Sequence, residues 1–281
     1  MRLLFLTAAL SATLSTAALA TEGPDARQAY VERRGLIETD ARCRLFTADI
    51  RAALNIGAMQ ARGSLLRAGW TSAQVRNLDE TVIAAARTRA CDDARTLQAA
   101  ADARHAFSRW LASGTMEFPG WVRTWLARRG SSDGWRLSQV IDAPTPSVFG
   151  VRQAGGAQRL SLVVTLARGA TAPNSAQLVL RDTQRAQMRE IALTQRVAYG
   201  IQAGVPAPGA ATTIPSARAL ERLSGGRSQV VFTFPDTAFA SLLQLDPRES
   251  VELRMQNGRI VQSLYVEVGD IAAARAFVTL R

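Results

Sequence analysis

The apolar residues of this chain change period once, near Gly134, and that change limits the fold more than any motif does. Before it, apolar positions recur three and four apart, the spacing of a helix face. After it they alternate, the spacing of half-buried strands. Helices in one block and strands in the next specify an α+β protein, not a chain of βαβ units. The expected architecture is a helical domain over residues 21–133, then an antiparallel β-sandwich-like domain with helical additions over 134–281.

Local signals place the helices. Thr47 can cap a helix carrying Ile50, Leu54, Ala58, Ala61 and Leu65, with Gly69 as its stop. Thr71 and Gln74 have capping-box spacing for the next helix, with Val75, Leu78, Val82 and Ala85 on one face. A third follows Asp92-Asp93, with Leu97, Ala100, Phe107 and Leu111 inward, and Pro119 begins a short fourth that Gly130 ends. Cys43 and Cys91 flank the hairpin that turns near Gly69-Trp70, at similar distances from the turn. An antiparallel hairpin brings them together, so a disulfide is expected. Their spacing is too long for a redox pair of the C-x-x-C kind.

In the second half, Trp135–Ile141, Ser147–Arg152, Arg159–Leu166 and Gln177–Arg181 read as strands, with Gly155-Gly156 as a hairpin turn. Met188–Leu193 and Arg196–Ile201 read as a further strand pair. Gln202–Pro215, rich in Ala, Gly and Pro, reads as a long exposed loop, and Ser216–Leu223 as a short helix. Gln229–Phe234 is a strand, Asp236 caps a helix to Leu243, and Val251–Met255 pairs with Arg259–Val268 across Asn257-Gly258. Asp270 caps a last helix, Ile271–Leu280.

The closing run VVFTFPDTAFASLLQLDPRESVELRMQNGRIVQSLYVEVGDIAAARAFVTL resembles the C-terminal part of the invasion-associated locus B type of periplasmic protein. Trp135 is similar to the tryptophan near the start of that domain. The resemblance covers Trp135–Leu280 and implies an envelope β-domain without a catalytic residue. The cysteines common within that family's domain are missing here.

Export is expected on separate grounds. Arg2, the apolar stretch Leu3–Ala18 and the small residues of Ala18-Leu19-Ala20 form a secretory signal cleaved near Ala20. The mature chain is then periplasmic or secreted, with no transmembrane segment. Hydrophobic content of 47% and charged content of 20% belong to a globular protein. Net charge is +11, with 17 Arg against 13 acids over residues 21–133 and 16 against 10 after them. A spread excess of this kind suits an anionic lipid or glycan partner better than nucleic acid, for which no motif exists.

The side-chain inventory excludes much chemistry. All 34 basic residues are arginine, which removes Ser–Lys dyads, Schiff bases and lysine-bound cofactors. His105 is the one histidine, about 80° around its helix from Leu97, and reads as a hydrogen-bonded boundary residue. Zinc would need three or four ligands, which one histidine and a disulfide do not supply. No metal or cofactor is expected. Paired carboxylates, drawn from Glu38, Asp40, Glu117 and Asp133, would be needed for a glycan-acting hydrolase. Gly155-Gly156 and Gly225-Gly226 lack phosphate-loop spacing.

Two segments are candidate interaction sites. Trp121, Arg123, Trp125, Arg128 and Arg129 form either an interfacial membrane helix or a core helix between the two halves; the core is the expectation. Gln202, Val205, Pro206 and Pro208 mark the loop as a partner-binding element. The sequence therefore points to a non-enzymatic exported module that binds a protein or envelope component. The alternatives are the hydrolase and a peripheral membrane protein.

Overall fold

The computed structural model describes residues 24–130, 134–142, 145–154, 156–223 and 227–280. The expected export signal, Asp133, Gly155 and Gly225-Gly226 lie outside these residues. Four helices come first: α1 (Pro24–Cys43), α2 (Ala48–Arg67), α3 (Ser72–Arg87) and α4 (Ala94–Leu111). Thr47 accepts the Ile50 amide as the cap of α2, and Thr71 with Gln74 forms the full capping box of α3. Asp93 caps α4 through the Thr96 amide. Gly69 ends the α2 turn at a φ of 93°, where a Cβ would strain the backbone. α1 packs along α2 and α3, and α4 packs on α2. The Cys43–Cys91 disulfide, with Cα atoms 5.5 Å apart, ties the end of α1 to the α3–α4 turn.

Eleven strands follow among the described residues, all paired antiparallel, in two sheets. They are β1 (Thr115–Pro119), β2 (Thr124–Arg128), β3 (Trp135–Ile141), β4 (Ser147–Ala154), β5 (Ala157–Leu166), β6 (Ser175–Arg181), β7 (Ala211–Pro215), β8 (Ala217–Arg222), β9 (Ser228–Thr233), β10 (Ser250–Asn257) and β11 (Ile260–Glu267). One sheet runs β1-β2-β3-β4-β5-β9-β8 and the other β11-β10-β6-β7. Alternate residues of both face one core, including Leu137, Phe149, Leu162 and Phe232 from the first and Leu178, Leu253 and Leu264 from the second. Three short helices complete the half: α5 (Leu193–Tyr199), α6 (Asp236–Leu243) and α7 (Ile271–Thr279). α7 buries Ile271, Ala274 and Phe277 in the core and also packs on α2. Ile56 of α2 joins the same cluster. The two halves thus share a core.

The structure corrects several expectations. Pro119–Arg129 is no helix; it is the β1–β2 hairpin, so the sheet begins well before Gly134. Burial alternates along β2, with Trp125 and Ala127 inward at 0% exposure and Thr124, Leu126 and Arg128 outward. Burying both Phe118 and Trp125 against the sandwich is worth several kcal/mol, well beyond a short helix's propensity. Gly120 also belongs to the turn, because a Cβ there would collide with the Glu267 carboxylate.

The expected strands at Met188–Leu193 and Arg196–Ile201 are instead irregular chain and α5. Arg196 is drawn inward to the Arg248 carbonyl, which a solvent-exposed strand pair would not permit. The expected loop Gln202–Pro215 consists of two 3-10 turns, Gly200–Gly204 and Pro208–Ala210, and then β7, which pairs with β6. Gly204 packs within 2.7 Å (Cβ position) of the Ser250 amide, so this segment is held down. Ser216–Leu223 forms β8, paired with β9, although Ala, Leu, Glu and Arg favour helices; tertiary pairing overrides the weaker local preference. Asp236 lies in the first turn of α6, where Pro235 is the cap residue, and its carboxylate holds Arg159. The two residues between β10 and β11 are Gly258-Arg259, with Gly258 at φ 59°. Leu97 is 44% exposed and Ala85 is exposed; Ala86 is the buried residue on that turn of α3.

Candidate binding groove in the helical half

α1 and α4 both lie on α2 but leave a groove between them, a cavity of about 420 Å³. The reason is side-chain size. α4 turns Ala99, Ala103 and Ala106 toward the opening, three small residues at helical spacing that do not fill the gap to α1. Leu54 of α2 forms the floor at 0% exposure. Val31 and Leu36 of α1 and Phe107 of α4 supply the apolar walls. This size and composition suit a small-molecule site, an apolar cleft with a few polar groups.

The polar groups are unevenly paired. Glu32 accepts from Gln28 at 2.8 Å and Asp102 from Gln98 at 2.9 Å, each on its own helix and exposed. Arg89, from the α3–α4 turn, stands at one end and is exposed. Arg33 is different. Its guanidinium lies across α2 at Gly57 and donates to the Gly57 carbonyl at 2.9 Å. A Cβ on Gly57 would sit 3.2 Å from both the Arg33 stem and the Phe107 ring, so glycine lets side chains of α1 and α4 meet over α2. Burial pushes the Arg33 guanidinium below its ordinary range, and the charge of Glu32 offsets that only in part. It remains a cation at neutral pH.

Its neighbours are neutralised. Arg34 holds Asp79 at 2.7 Å, Arg87 holds Glu38 at 2.9 Å, and Arg51 pairs with Asp40. Arg33 has no carboxylate within ion-pair distance among the described residues.

The residues singled out from sequence do not converge on one site. Trp125 is a core residue whose indole N–H reaches the Glu267 and Val268 carbonyls at 3.0 and 2.9 Å. Trp121 lies between the halves, with Arg196 5.8 Å over its ring. Arg123 donates to the Tyr265 carbonyl, and Arg129 stacks 4.3 Å over Phe277 while bonding its carbonyl. Arg128 faces outward, lining a second hollow of about 410 Å³ on the seven-stranded sheet with Leu126 and Val140. The interfacial helix is therefore replaced by strand residues facing the core, the junction and the solvent. Of the loop residues, Gln202 and Pro208 are exposed, and Val205 and Pro206 are half-buried beside the pinned Gly204. His105 is exposed on α4. Glu38 and Asp40 are engaged by arginines, and Glu117 is exposed on β1.

Sequence reading passed over Arg33 because nothing distinguishes it among 34 basic residues. Gly57 carried the available signal, since glycine inside a helix costs about 1 kcal/mol and implies a packing reason. Comparison with protein-family models, with curated proteins and with solved structures returned no match.

Proposed function

We propose that this chain is an exported, non-enzymatic module that binds an envelope component in the α1–α2–α4 groove. One observation carries the reading: a cleft of ligand size combines an apolar floor with a half-buried arginine that, among the described residues, has no carboxylate within ion-pair distance. The amino-terminal sequence and the resemblance of Trp135–Leu280 to envelope proteins support location outside the cytoplasm, and the disulfide is consistent with it. The β-sandwich acts as the rigid base that fixes α2, through the helix it shares with the groove.

The test places a photo-crosslinking residue at Ala106, on the groove wall, or at His105, one residue away on the exposed face. Each mature variant is irradiated in envelope extract and its adducts are identified by mass spectrometry. A defined adduct formed from position 106 and not from 105 supports the groove. Identical adducts from both positions, or none from 106, overturn it.

A further inference from the structure

We infer that the groove's ligand is a single-chain acyl carboxylate, with its tail along α4 and its head group at Arg33. The inference rests on the groove reading above and adds the chemistry of the occupant.

Three features combine. The wall from Ala99 to Phe107, apolar apart from Asp102, spans about 12 Å of helix axis, the length of one extended medium acyl chain. The cavity of about 420 Å³ has room for such a chain. The charge is placed at the wall, not outside it: Arg33 crosses the groove over Gly57, and among the described residues one backbone carbonyl uses its donors in hydrogen bonding. A guanidinium presents five N–H donors in a fork that fits a carboxylate, so most of its capacity is open.

Two buried arginines take a carboxylate from the chain itself, whereas half-buried Arg33, like Arg129, hydrogen-bonds to backbone carbonyls. Arg67 is met by Asp270 and Arg181 by Glu249, each through two hydrogen bonds. Arg33 is half-buried, and a carboxylate docking on its open donors exchanges water for charge-assisted hydrogen bonds. A cationic head gains no such bond, and a neutral head gains a weaker one.

The experiment is calorimetric titration of the mature protein with decanoate and decyltrimethylammonium below their micellar concentrations and decanol below its solubility limit. Three proteins are compared: wild type, Arg33→Met and Ala106→Trp, with melting temperatures as the folding control. Decanoate should bind wild type at least about tenfold more tightly than decanol, the worth of a charge-assisted hydrogen bond. Arg33→Met should remove that preference while retaining decanol binding, and Ala106→Trp should weaken both ligands. Equal affinity for decanoate and decanol, or an unaltered preference in Arg33→Met, overturns the head-group assignment while the groove reading stands. Should Arg33→Met fail to fold, the wild-type ligand series and Ala106→Trp still decide. No binding of any of the three ligands overturns the acyl occupant; the groove itself then falls only if position 106 also gives no specific adduct.

Discussion

The guanidinium of Arg67, at the end of α2, grips the carboxylate of Asp270, at the start of α7, through hydrogen bonds of 2.9 and 3.1 Å. The partners are 203 residues apart, and their side chains are 2% and 1% exposed. Arg67 also donates to the Pro119 carbonyl and to Ser64. One ion pair therefore joins the helical half, the β1–β2 hairpin and the last helix.

Removing either partner strands a buried charge. Asp270→Leu or Arg67→Met should each cost about 3–5 kcal/mol of unfolding free energy. Arg67→Met with Asp270→Leu should recover part of that loss, because no charge is left unpaired. Chemical denaturation of the four proteins measures the coupling. Additive losses in the double variant would show that the pair does not act as a unit.

Gly63 makes this contact possible. A Cβ there would fall within the Asp270 carboxylate and crowd Arg67, so α2 could not approach α7. In most exposed helices glycine to alanine stabilises by up to about 1 kcal/mol. Here Gly63→Ala should have the opposite sign and lower the midpoint by an amount comparable to loss of the ion pair. Gly57→Ala provides a graded comparison, since its nearest neighbours are 3.2 Å away and two of the three belong to a flexible arginine.

The sequence made some elements legible and hid others for identifiable reasons. Caps and stops at Thr47, Gly69, Thr71 and Gln74 are local, so they could be read without knowing the fold. The disulfide followed from hairpin geometry. The β1–β2 hairpin was hidden because Trp121 and Trp125 fall one helical turn apart, and two five-residue strands are too short to establish a period of two. β8 was hidden by its helix-forming composition and by a lack of buried residues. Asp270 had the position of a cap, yet its side chain makes no cap bond and turns to Arg67 instead. Nothing local distinguishes a capping aspartate from one with a partner across the molecule. The groove was illegible for the same reason: three alanines and one arginine become a site only when α1 and α4 are both laid on α2.

Reduction of Cys43–Cys91 should destabilise the helical half first. The loop it closes, 48 residues in sequence separation, corresponds to about 4 kcal/mol in the chain-entropy model, and measured values are often smaller. With both cysteines replaced by serine, α4 and the α3–α4 turn lose their tether to α1. Hydrogen exchange should then rise in α4 before it rises in β4 or β5. Uniform acceleration across the sandwich would contradict that order.

The alkaline limb of stability isolates one tyrosine. Tyr30 is buried among Leu65, Leu66 and Val75, and its hydroxyl donates to Asp79 at 2.9 Å. Burial, and then the Asp79 carboxylate, push its pKa up to about 12. The neutral phenol is thus favoured in the folded state, while the unfolded chain ionises near pH 10. Stability from this difference is complete below about pH 10 and is lost as pH rises toward 12, by about 3 kcal/mol at most. With all 34 basic residues arginine, no lysine titrates in that window, and the chain has three tyrosines in all. Tyrosinate absorbance should show a late step that coincides with unfolding. Tyr30→Phe should remove that step and flatten the fall in stability between pH 10 and 12. A late step that persists in Tyr30→Phe would assign the burial effect to another tyrosine and detach Tyr30 from alkaline unfolding.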